Sequence, residues 1–349
     1  MEKKYLFFYK MLREQIIDGI YPFGTKLPSK RVFAADHNIS VITVERTYNI
    51  LCDEGYIEAR ARSGYYVIYR EADSFFSVEE RLITKEKLPE NEESTFPFSV
   101  LARTARSVIA QYGERLLAKG PGEGCPALRA EICAYLGRNR GITVREEQII
   151  IGAGAEYLYD LAVKILGADK IYATESPSYE KIRQVYLSCG VKCVSMRLGK
   201  NGILSEDLRK TEADVLHITP YRSFPSGVTA DISKRREYIH WARQKNRYIV
   251  EDDYLSEFSV SSKTEDTVFS MAGDRVIYIN TFSQTISSAF RIAYMVLPES
   301  LLPMYHRNAD FLNCSVSMLD QYLVAALIGQ GDFERHINKV RRNKRKKLK

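Results

Sequence analysis

The chain has 349 residues, of which 45% are hydrophobic and 27% charged, and its formal net charge is +7. This length suggests two or three domains, and no apolar run approaches the roughly 18 to 20 residues that a membrane-spanning helix needs. Charged residues interrupt the apolar positions of the N-terminal segment MEKKYLFFYKMLREQ, unlike a signal-peptide core, so the sequence predicts a soluble cytoplasmic protein that binds no membrane.

The first 70 residues predict three helices followed by a β-hairpin. Apolar residues recur at spacings of three and four over positions 5–20, the pattern of an amphipathic helix. Ser29 and Ser40 are suited to cap a second and a third helix, because their side chains can accept hydrogen bonds from free backbone N–H groups. Two alternating runs then flank Arg62-Ser63-Gly64, as in a hairpin with arginines near its tip.

This order of elements is that of a winged helix-turn-helix, a DNA-binding module. Its third helix enters the major groove, and its hairpin, the wing, lies along the neighbouring backbone or minor groove. Candidate contacts to base edges and phosphates lie at the start of the second helix, on the third helix and in the wing: Lys30, Arg31, Ser40, Thr43, Glu45, Arg46, Thr47, Arg60, Arg62, Ser63 and Gly64. The alternative is a small structural domain whose arginines are merely solvated.

The composition and periodicity of the sequence change after the hairpin. Residues 71–95 lack sustained periodicity and hold eight acidic against three basic residues, which predicts a linker. From about residue 96, strand-like runs such as KIYATES, DVLHITP and RYIVEDD alternate with helix-length segments. Such alternation predicts a mostly parallel sheet covered by helices, so we expect a DNA-binding domain over 1–70 and an α/β domain over 96–349.

Two features of the composition have plain explanations. The end of the chain, KVRRNKRKKLK, holds eight lysines and arginines and no acid, which suits either a nucleic-acid-binding arm or, as we prefer, the first part of a connecting helix. Six cysteines are scattered along the chain, and the closest pair, Cys189 and Cys193, has no second pair or neighbouring histidines. Reduced thiols and no metal site are therefore expected.

Three predicted strands end on groups suited to a ligand, at the edge where α/β sheets place their ligands. The run IIIGAGAEYL leads a strand through a glycine-rich turn into a helix, whose free N–H groups can hold a phosphate. The run YIVEDDYLSEF ends a second strand on Asp252, Asp253 and Tyr254. The run YINTFSQTISSAFRIAYMVLP predicts two buried strands joined by a hydroxyl-rich loop. Each run alone also has a simpler explanation, such as helix capping or packing.

The segment KLPSKRVFAADHNISVITVERTYNILCDEGYIEARARSGYYV resembles the GntR family of bacterial transcription regulators through Leu27-Pro28-Ser29, Thr43-Val44, Gly55 and Gly64. Val41 stands where that family often has an arginine. The region from about Phe96 onward resembles the fold type I pyridoxal phosphate aminotransferases, and the fusion of the two resembles the MocR branch of regulators. The resemblance implies a homodimeric regulator of double-stranded DNA whose aminotransferase-like domain serves dimerisation and the sensing of a small-molecule effector.

The same resemblance implies a role for each group at the cofactor phosphate. The glycine-rich turn, Gly154, Ala155 and Glu156, would help to seat the phosphate, and Ser283 and Arg291 would reach it from the loop after a later strand. An arginine suits a dianion because it presents several donors in a fixed geometry.

Three further residues would contact the cofactor ring. Tyr179 would stack on it, Asp252 would pair with the pyridine nitrogen, and Tyr254 would hydrogen-bond the phenolic oxygen. Such contacts orient the cofactor and adjust its electronic properties.

Gln284 occupies the position at which the resembled aminotransferases have the lysine that forms the Schiff base. An amide nitrogen cannot replace an amine as nucleophile or base, and the sequence has no lysine between Lys263 and Lys339. We therefore expect no catalytic residue, no transamination, and at most weak, noncovalent binding of pyridoxal phosphate or an amino-acid-derived effector. The alternatives are an aminotransferase with a regulatory head and a degenerate regulator without an effector.

Resembled proteins continue past GDFERHINKVRRNKRKK into a smaller C-terminal domain with a carboxylate-binding arginine. We accordingly expect an aminotransferase-like domain that is truncated at its C-terminus.

Overall fold

The structure is a computed structural model that describes residues 4–61, 63–70, 96–260 and 266–347. The chain separates into two compact units, Met1–Glu90 and Asn91–Lys349. Arg62 and the predicted linker 71–95 lie outside the described residues. Within the described ranges, no helix combines the length and the apolar character needed to cross a membrane.

The first unit has the predicted order of three helices and a hairpin. Its elements are α1 (Lys4–Ile17), α2 (Lys30–Asp36), α3 (Val41–Asp53), β1 (Ile57–Arg60) and β2 (Gly64–Val67). The two predicted caps are confirmed: Val32 N donates to Ser29 Oγ at 3.3 Å, and Thr43 N donates to Ser40 Oγ at 3.1 Å. Each bond satisfies one of the backbone N–H groups that a helix start leaves free.

The core of the first unit lies where the apolar periodicity predicts it. Val44, Tyr48 and Leu51 on α3 are fully buried and pack with Leu12 of α1 in one cluster. The Tyr48 hydroxyl donates to Pro28 O at 2.8 Å, which ties α3 to the turn before α2. This packing fixes the opposite face of α3 toward the outside.

The second unit alternates helices and strands, with short 3₁₀ turns between some of them. Its elements are α4 (Phe98–Tyr112), α5 (Pro126–Arg140), β3 (Ile149–Gly152), α6 (Ala155–Leu166), β4 (Ile171–Ser176), α7 (Glu180–Ser188), β5 (Lys192–Gly199), β6 (Gly202–Ile203), α8 (Ser205–Lys210), β7 (Val215–Ile218), α9 (Ile232–Gln244), β8 (Tyr248–Asp252), α10 (Val268–Ala272), β9 (Val276–Thr281), β10 (Ala293–Val296), α11 (Leu302–Asn308), α12 (Met318–Gly329) and α13 (Asp332–Lys347).

The strands form one eight-stranded sheet in the order β3-β10-β9-β8-β7-β4-β5-β6. The five strands from β9 to β5 are parallel to their neighbours, whereas β10 runs antiparallel between β3 and β9, and β6 is antiparallel to β5. The predicted mostly parallel sheet is therefore confirmed. Central strands such as β9 are buried along their whole length, as expected for a sheet covered on both faces.

Helices cover both faces of this sheet, and the cavity described below lies at the edge formed by the C-terminal ends of the parallel strands. α6, α7 and α11 pack on one face, and α5, α9, α10, α12 and α13 contribute to the core on the other face. β10 is antiparallel to both of its neighbours, so β3 and β9 run in the same direction. One edge of the sheet therefore holds the C-terminal ends of β3, β4, β7, β8 and β9. The basic end of the chain forms α13, which buries Phe333, Ile337 and Val340.

Candidate ligand pocket and candidate nucleic-acid interface

A cavity of about 320 Å³ lies at the C-terminal ends of the parallel strands. Its wall brings together seven of the eight residues predicted to bind a cofactor, and also Gln284. Gly154, the eighth, directly precedes Ala155 at the start of α6. The lining residues are Ala155, Glu156, Tyr159, Tyr179, Ile182, Thr219, Phe224, Asp252, Tyr254, Thr281, Ser283, Gln284 and Arg291.

One end of the cavity is built from the start of α6 and from Arg291. Gly154 has φ of +94°, a backbone conformation that other residues rarely adopt, and a Cβ atom there would also force the guanidinium of Arg291 to shift. Arg291 Nη2 donates to Glu156 Oε2 at 2.7 Å. Burial opposes ionisation of Glu156, but a backbone hydrogen bond and Arg291 outweigh it and lower the pKa of this carboxyl. The arginine is thus already paired with an internal anion.

Asp252, the last residue of β8, forms a buried part of the cavity wall. Its Oδ2 accepts a hydrogen bond from Tyr159 Oη at 2.7 Å, whereas its buried Oδ1 has no hydrogen-bond partner among the described residues. Burial raises the pKa of Asp252 to about 7. A buried carboxylate oxygen without a hydrogen-bond donor is energetically unfavourable. A ligand with an N–H or O–H group could donate to this atom and remove the cost.

The neighbouring Asp253 has no such opening. Its carboxylate accepts hydrogen bonds from Tyr278 Oη at 2.8 Å and from Arg140 Nη2 at 3.2 Å, both buried. Of the two consecutive aspartates, Asp252 faces the cavity and Asp253 belongs to a closed network on the other side of the sheet. This division follows from the alternation of side chains along a strand.

His217 on β7 stands behind Asp252. Its Nδ1 lies 2.8 Å from Tyr186 Oη, and its Nε2 lies 4.0 Å from Asp252 Oδ2 without a hydrogen-bond partner among the described residues. Burial lowers the pKa of His217 to about 3, so the imidazole is neutral. His217 is therefore a polar neighbour of Asp252 that carries no positive charge.

Two aromatic rings and a tyrosine hydroxyl border the mouth of the cavity. Tyr179 remains 38% exposed and meets Phe224 edge to face, with ring centroids 6.3 Å apart. Lys181 Nζ lies 5.8 Å from the centroid of the Tyr179 ring. The Tyr254 hydroxyl donates to Arg222 O at 2.9 Å. The predicted contact of Tyr254 with a ligand oxygen would therefore require this bond to be exchanged.

Gln284 lies in the loop between β9 and β10, with its side chain exposed. Two hydroxyls tie the loop down: Ser283 Oγ donates to Phe290 O at 2.9 Å, and Thr281 Oγ1 donates to Ser283 Oγ at 3.1 Å. Gln284 itself forms part of the cavity wall. Among the lining residues that the structure describes there is no lysine, so no amine replaces the amide in the cavity wall.

The outer side of α3 and the hairpin bear the predicted nucleic-acid contacts. Several of these groups already have partners inside the unit. Lys30 Nζ donates to Glu45 Oε1 at 2.5 Å, and the Arg46 guanidinium lies 5.1 Å from the centroid of the Tyr5 ring. The ion pair and the cation–π contact are both at the surface, where such contacts contribute little to stability, so either cation remains able to turn toward a phosphate.

The hydroxyls of α3 and the wing are more firmly held. Ser40 Oγ and Thr43 Oγ1 lie 2.8 Å apart at the helix cap. In the wing, Ser63 Oγ lies 2.7 Å from Tyr66 Oη, and Arg60 donates to Glu58 at 2.6 Å while covering the Tyr66 ring.

The prediction for Thr47 is wrong. Thr47 is fully buried, and its single hydroxyl proton is shared between two acceptors, Thr43 O at 3.0 Å and Tyr5 O at 3.1 Å. Its position on α3 faces α1 rather than the outside, so it cannot contact a base or a phosphate.

Some residues at the two sites were not anticipated. Asn49 is exposed on α3, one turn beyond Arg46, and an asparagine at such a position can form two hydrogen bonds with adenine. In the cavity, Tyr159 and His217 stand beside Asp252. The signals were available: Tyr159 follows Ala155 by one helical turn, and His217 is the polar residue of an otherwise apolar strand.

The structure also gathers three possible metal ligands at the surface. Ligand atoms of Glu123, His306 and Asp310 lie within 4.8 Å of one another. His306 and Asp310 are exposed, and exposed groups of this kind often gather without an ion. None of the three residues lines the cavity described above.

Two family models match the chain, and they divide it in the same way as the fold. The model of bacterial regulatory proteins of the gntR family matches residues 4–67. The model of aminotransferase class I and II matches residues 84–348, which include the whole cavity wall.

The chain is also similar to regulators over nearly its whole length. It is 31% identical over 355 residues to the HTH-type transcriptional regulator YdeL of Bacillus subtilis (strain 168), and the match covers 97% of this chain and 76% of that protein. It is 28% identical over 361 residues to the probable rhizopine catabolism regulatory protein MocR of Rhizobium meliloti, covering 96% of this chain and 73% of that protein.

A solved aminotransferase shares the fold of the second unit. The alpha-aminoadipate aminotransferase LysN from Thermus thermophilus, complexed with N-(5'-phosphopyridoxyl)-L-leucine, matches with a TM-score of 0.61 and 26% sequence identity. The match covers 71% of this chain and 64% of that one, so the chain spans less than two thirds of the length of this aminotransferase.

Proposed function

Because the chain belongs to the aminotransferase class I and II family and has a gntR-type helix-turn-helix unit in front of that domain, we propose that it is a DNA-binding transcription regulator of the MocR type. In this proposal the aminotransferase-like domain does not catalyse a reaction. It binds pyridoxal phosphate, or an amino-acid-derived effector, without a covalent bond. The observation that carries the proposal is a cavity that keeps its polar groups but has Gln284 in place of an amine.

The residues of the cavity fit pyridoxal phosphate in two independent ways. Asp252 Oδ1 is a buried acceptor that lacks a donor, and a protonated ring nitrogen would supply one. In another part of the wall, Arg291 and the start of α6 meet at Gly154, which suits a phosphate group. When bound, this cofactor supplies an electron-withdrawing ring and an aldehyde that reacts with amines. Tyr179 is placed to cover a flat ring at the mouth.

The absence of an amine at residue 284 argues against a transaminase with a regulatory head. The amide of Gln284 has its nitrogen lone pair delocalised, so it neither attacks an aldehyde nor removes a proton from carbon. The chain's own residues would then bind and orient a ligand, with Asp252 and Arg291 at its two ends. Binding without a covalent bond should be weaker than in a relative with a lysine.

A regulator of this type would act on double-stranded DNA as a homodimer. A two-fold dimer presents two helix-turn-helix units and therefore binds paired half-sites. Ligand occupancy of the cavity is the proposed effector signal. A degenerate regulator that binds DNA and senses nothing is the competing possibility, and ligand binding separates the two.

The test of the cavity compares the natural protein with Gln284→Lys and with Gln330→Lys, which changes an exposed glutamine outside the cavity wall. Each protein is incubated with pyridoxal phosphate and treated with borohydride, which reduces any Schiff base to a stable amine. The mass of the intact protein is then measured by mass spectrometry. We expect a one-to-one covalent adduct with Gln284→Lys and none above background with the other two.

The natural protein is also melted with and without pyridoxal phosphate. A ligand that binds only the folded state raises its stability, so a higher Tm is expected without any adduct. If the natural protein shows no rise in Tm and Gln284→Lys forms no adduct, the cavity does not accept this cofactor. The proposal that pyridoxal phosphate is the ligand would then be wrong, whatever the result for DNA.

A further inference from the structure

The exposed face of α3 contains few polar groups that are free of internal partners. Ile42, Glu45, Arg46 and Asn49 follow one another at helical spacing and form one exposed stripe. Glu45 is paired with Lys30, and Arg46 lies over the ring of Tyr5. At the N-terminal end of the stripe the exposed side chain is apolar.

Val41 and Ile42 are the first two residues of α3, and both are unusually open to solvent. Val41 is 43% exposed, and Ile42 is 75% exposed. They directly follow the cap residue Ser40, whose hydrogen bond to Thr43 N fixes the first turn of the helix. Two β-branched apolar side chains therefore project from the capped end of the helix, with no contribution to the buried core.

We propose that Ile42, assisted by Val41, contacts the 5-methyl group of thymine in the major groove and so helps to determine the operator sequence. The N-terminal residues of a recognition helix are those that meet base edges. The thymine methyl is the apolar group that the major groove presents, and an apolar side chain is its usual partner. This inference rests on the proposed function, since it assumes that α3 binds DNA.

Charge favours DNA over a protein surface as the occupant of this end of α3. Arg31 at the start of α2 and Arg46, one helical turn after Ile42 on α3, are exposed cations of the same helix-turn-helix, as needed for flanking phosphates. A contact with a second copy of the chain is the rival explanation. It predicts an effect of Ile42 on oligomeric state instead of an effect on base preference.

The test begins by selecting bound duplexes from a random pool with the full chain. In the selected duplex, each thymine of a half-site is then replaced by deoxyuridine, which removes only the 5-methyl group. We expect one or two replacements to weaken binding by about fourfold each, the factor that burial of one methyl-sized apolar group provides. In Ile42→Ala, the replacement of the thymine that Ile42 contacts should have no further effect, whereas a thymine contacted by Val41 should keep its effect.

Ile20→Ala is the matched control, because Ile20 is 63% exposed and lies outside α3. It should retain the full discrimination between thymine and deoxyuridine. If the natural protein binds both duplexes equally at every position, or if Ile42→Ala changes the oligomeric state and leaves the discrimination intact, the inference is wrong while DNA binding stands. If no duplex is enriched and the chain shows no salt-dependent retention on DNA, the proposed function fails, and the inference fails with it.

Discussion

The outer face of α3 and the cavity of the second unit both present polar side chains among apolar ones, but these polar groups differ in how far the protein itself provides their hydrogen-bond partners. On α3, Glu45 and Arg46 have partners within the unit and remain in contact with water. In the cavity, Asp252 Oδ1 and His217 Nε2 are buried and lack hydrogen-bond partners among the described residues. A buried unsatisfied atom restricts which chemical groups can bind beside it, whereas an exposed satisfied atom does not.

This difference predicts that the two regions can be damaged separately, and the largest effect should come from the core behind α3. Tyr48→Ala removes a fully buried ring and its bond to Pro28 O, so we expect the free energy of unfolding of the first unit to fall by about 3–5 kcal/mol. DNA binding should be lost, and binding of pyridoxal phosphate should persist. Thermal unfolding, retention on duplex DNA and the ligand-dependent rise in Tm measure the three quantities.

Tyr48→Phe is the matched control, because it removes only the hydroxyl and should lower the free energy of unfolding by about 1 kcal/mol. If Tyr48→Ala abolished ligand binding and DNA binding together, the two regions would not be independent.

The next largest effect should come from the unsatisfied oxygen in the cavity. Asp252→Asn removes the charge that would pair with a protonated ring nitrogen, so we expect affinity for pyridoxal phosphate to fall on the order of 10- to 100-fold, as for hydrogen bonds to charged groups. Equilibrium dialysis measures the affinity. Asp310→Asn, an exposed aspartate outside the cavity wall, should bind as the natural protein does.

The same substitution should change the dependence of stability on pH. Because burial raises the pKa of Asp252 from 3.8 to about 7, the folded protein holds this proton more tightly than the unfolded chain. The natural protein should therefore lose stability relative to Asp252→Asn as the pH rises from about 4 to 7. Equal slopes for the two proteins over this range would contradict the environment described for Asp252.

The smallest effect should come from the cations around α3. Arg31→Ala and Arg46→Ala each remove one contact to phosphate, so binding should weaken severalfold on all sequences and the salt dependence should decrease by about one ion per substitution. Titrations of one duplex at several salt concentrations measure both quantities. Arg243→Ala, which removes another exposed arginine in the second unit, should change neither. Unchanged binding in both α3-side variants would place the DNA contact elsewhere.

Most of the fold could be predicted from the sequence because it depends on local rules. Ser29 and Ser40 cap their helices as the spacing predicts, and the apolar periodicity of α3 identifies its buried side. The alternation of strands and helices predicts the sheet. The internal position of β10, antiparallel between β3 and β9, was not predicted, because the order of strands depends on long-range packing.

The candidate sites were predictable in composition but not in detail. Seven residues chosen from sequence do line one cavity, since they stand at strand ends that a parallel sheet brings together. Thr47 was assigned wrongly because its face on α3 depends on where α1 packs. The pairing of Arg291 with Glu156 could not be foreseen either, because the two residues are 135 positions apart in the sequence and only the folded loop brings them into contact.

In this ion pair, the carboxylate of Glu156 occupies the guanidinium of Arg291 and so competes with any anion that binds in the cavity. If the proposed ligand binds there, its phosphate would have to share or displace the carboxylate of Glu156 before it gained the full attraction of Arg291. A dianion can displace a single carboxylate from the guanidinium, whereas a singly charged ligand gains little from the exchange. The pair therefore favours doubly charged ligands over singly charged ones. Glu156→Gln should reduce this preference, because Arg291 then has no carboxylate partner in the cavity.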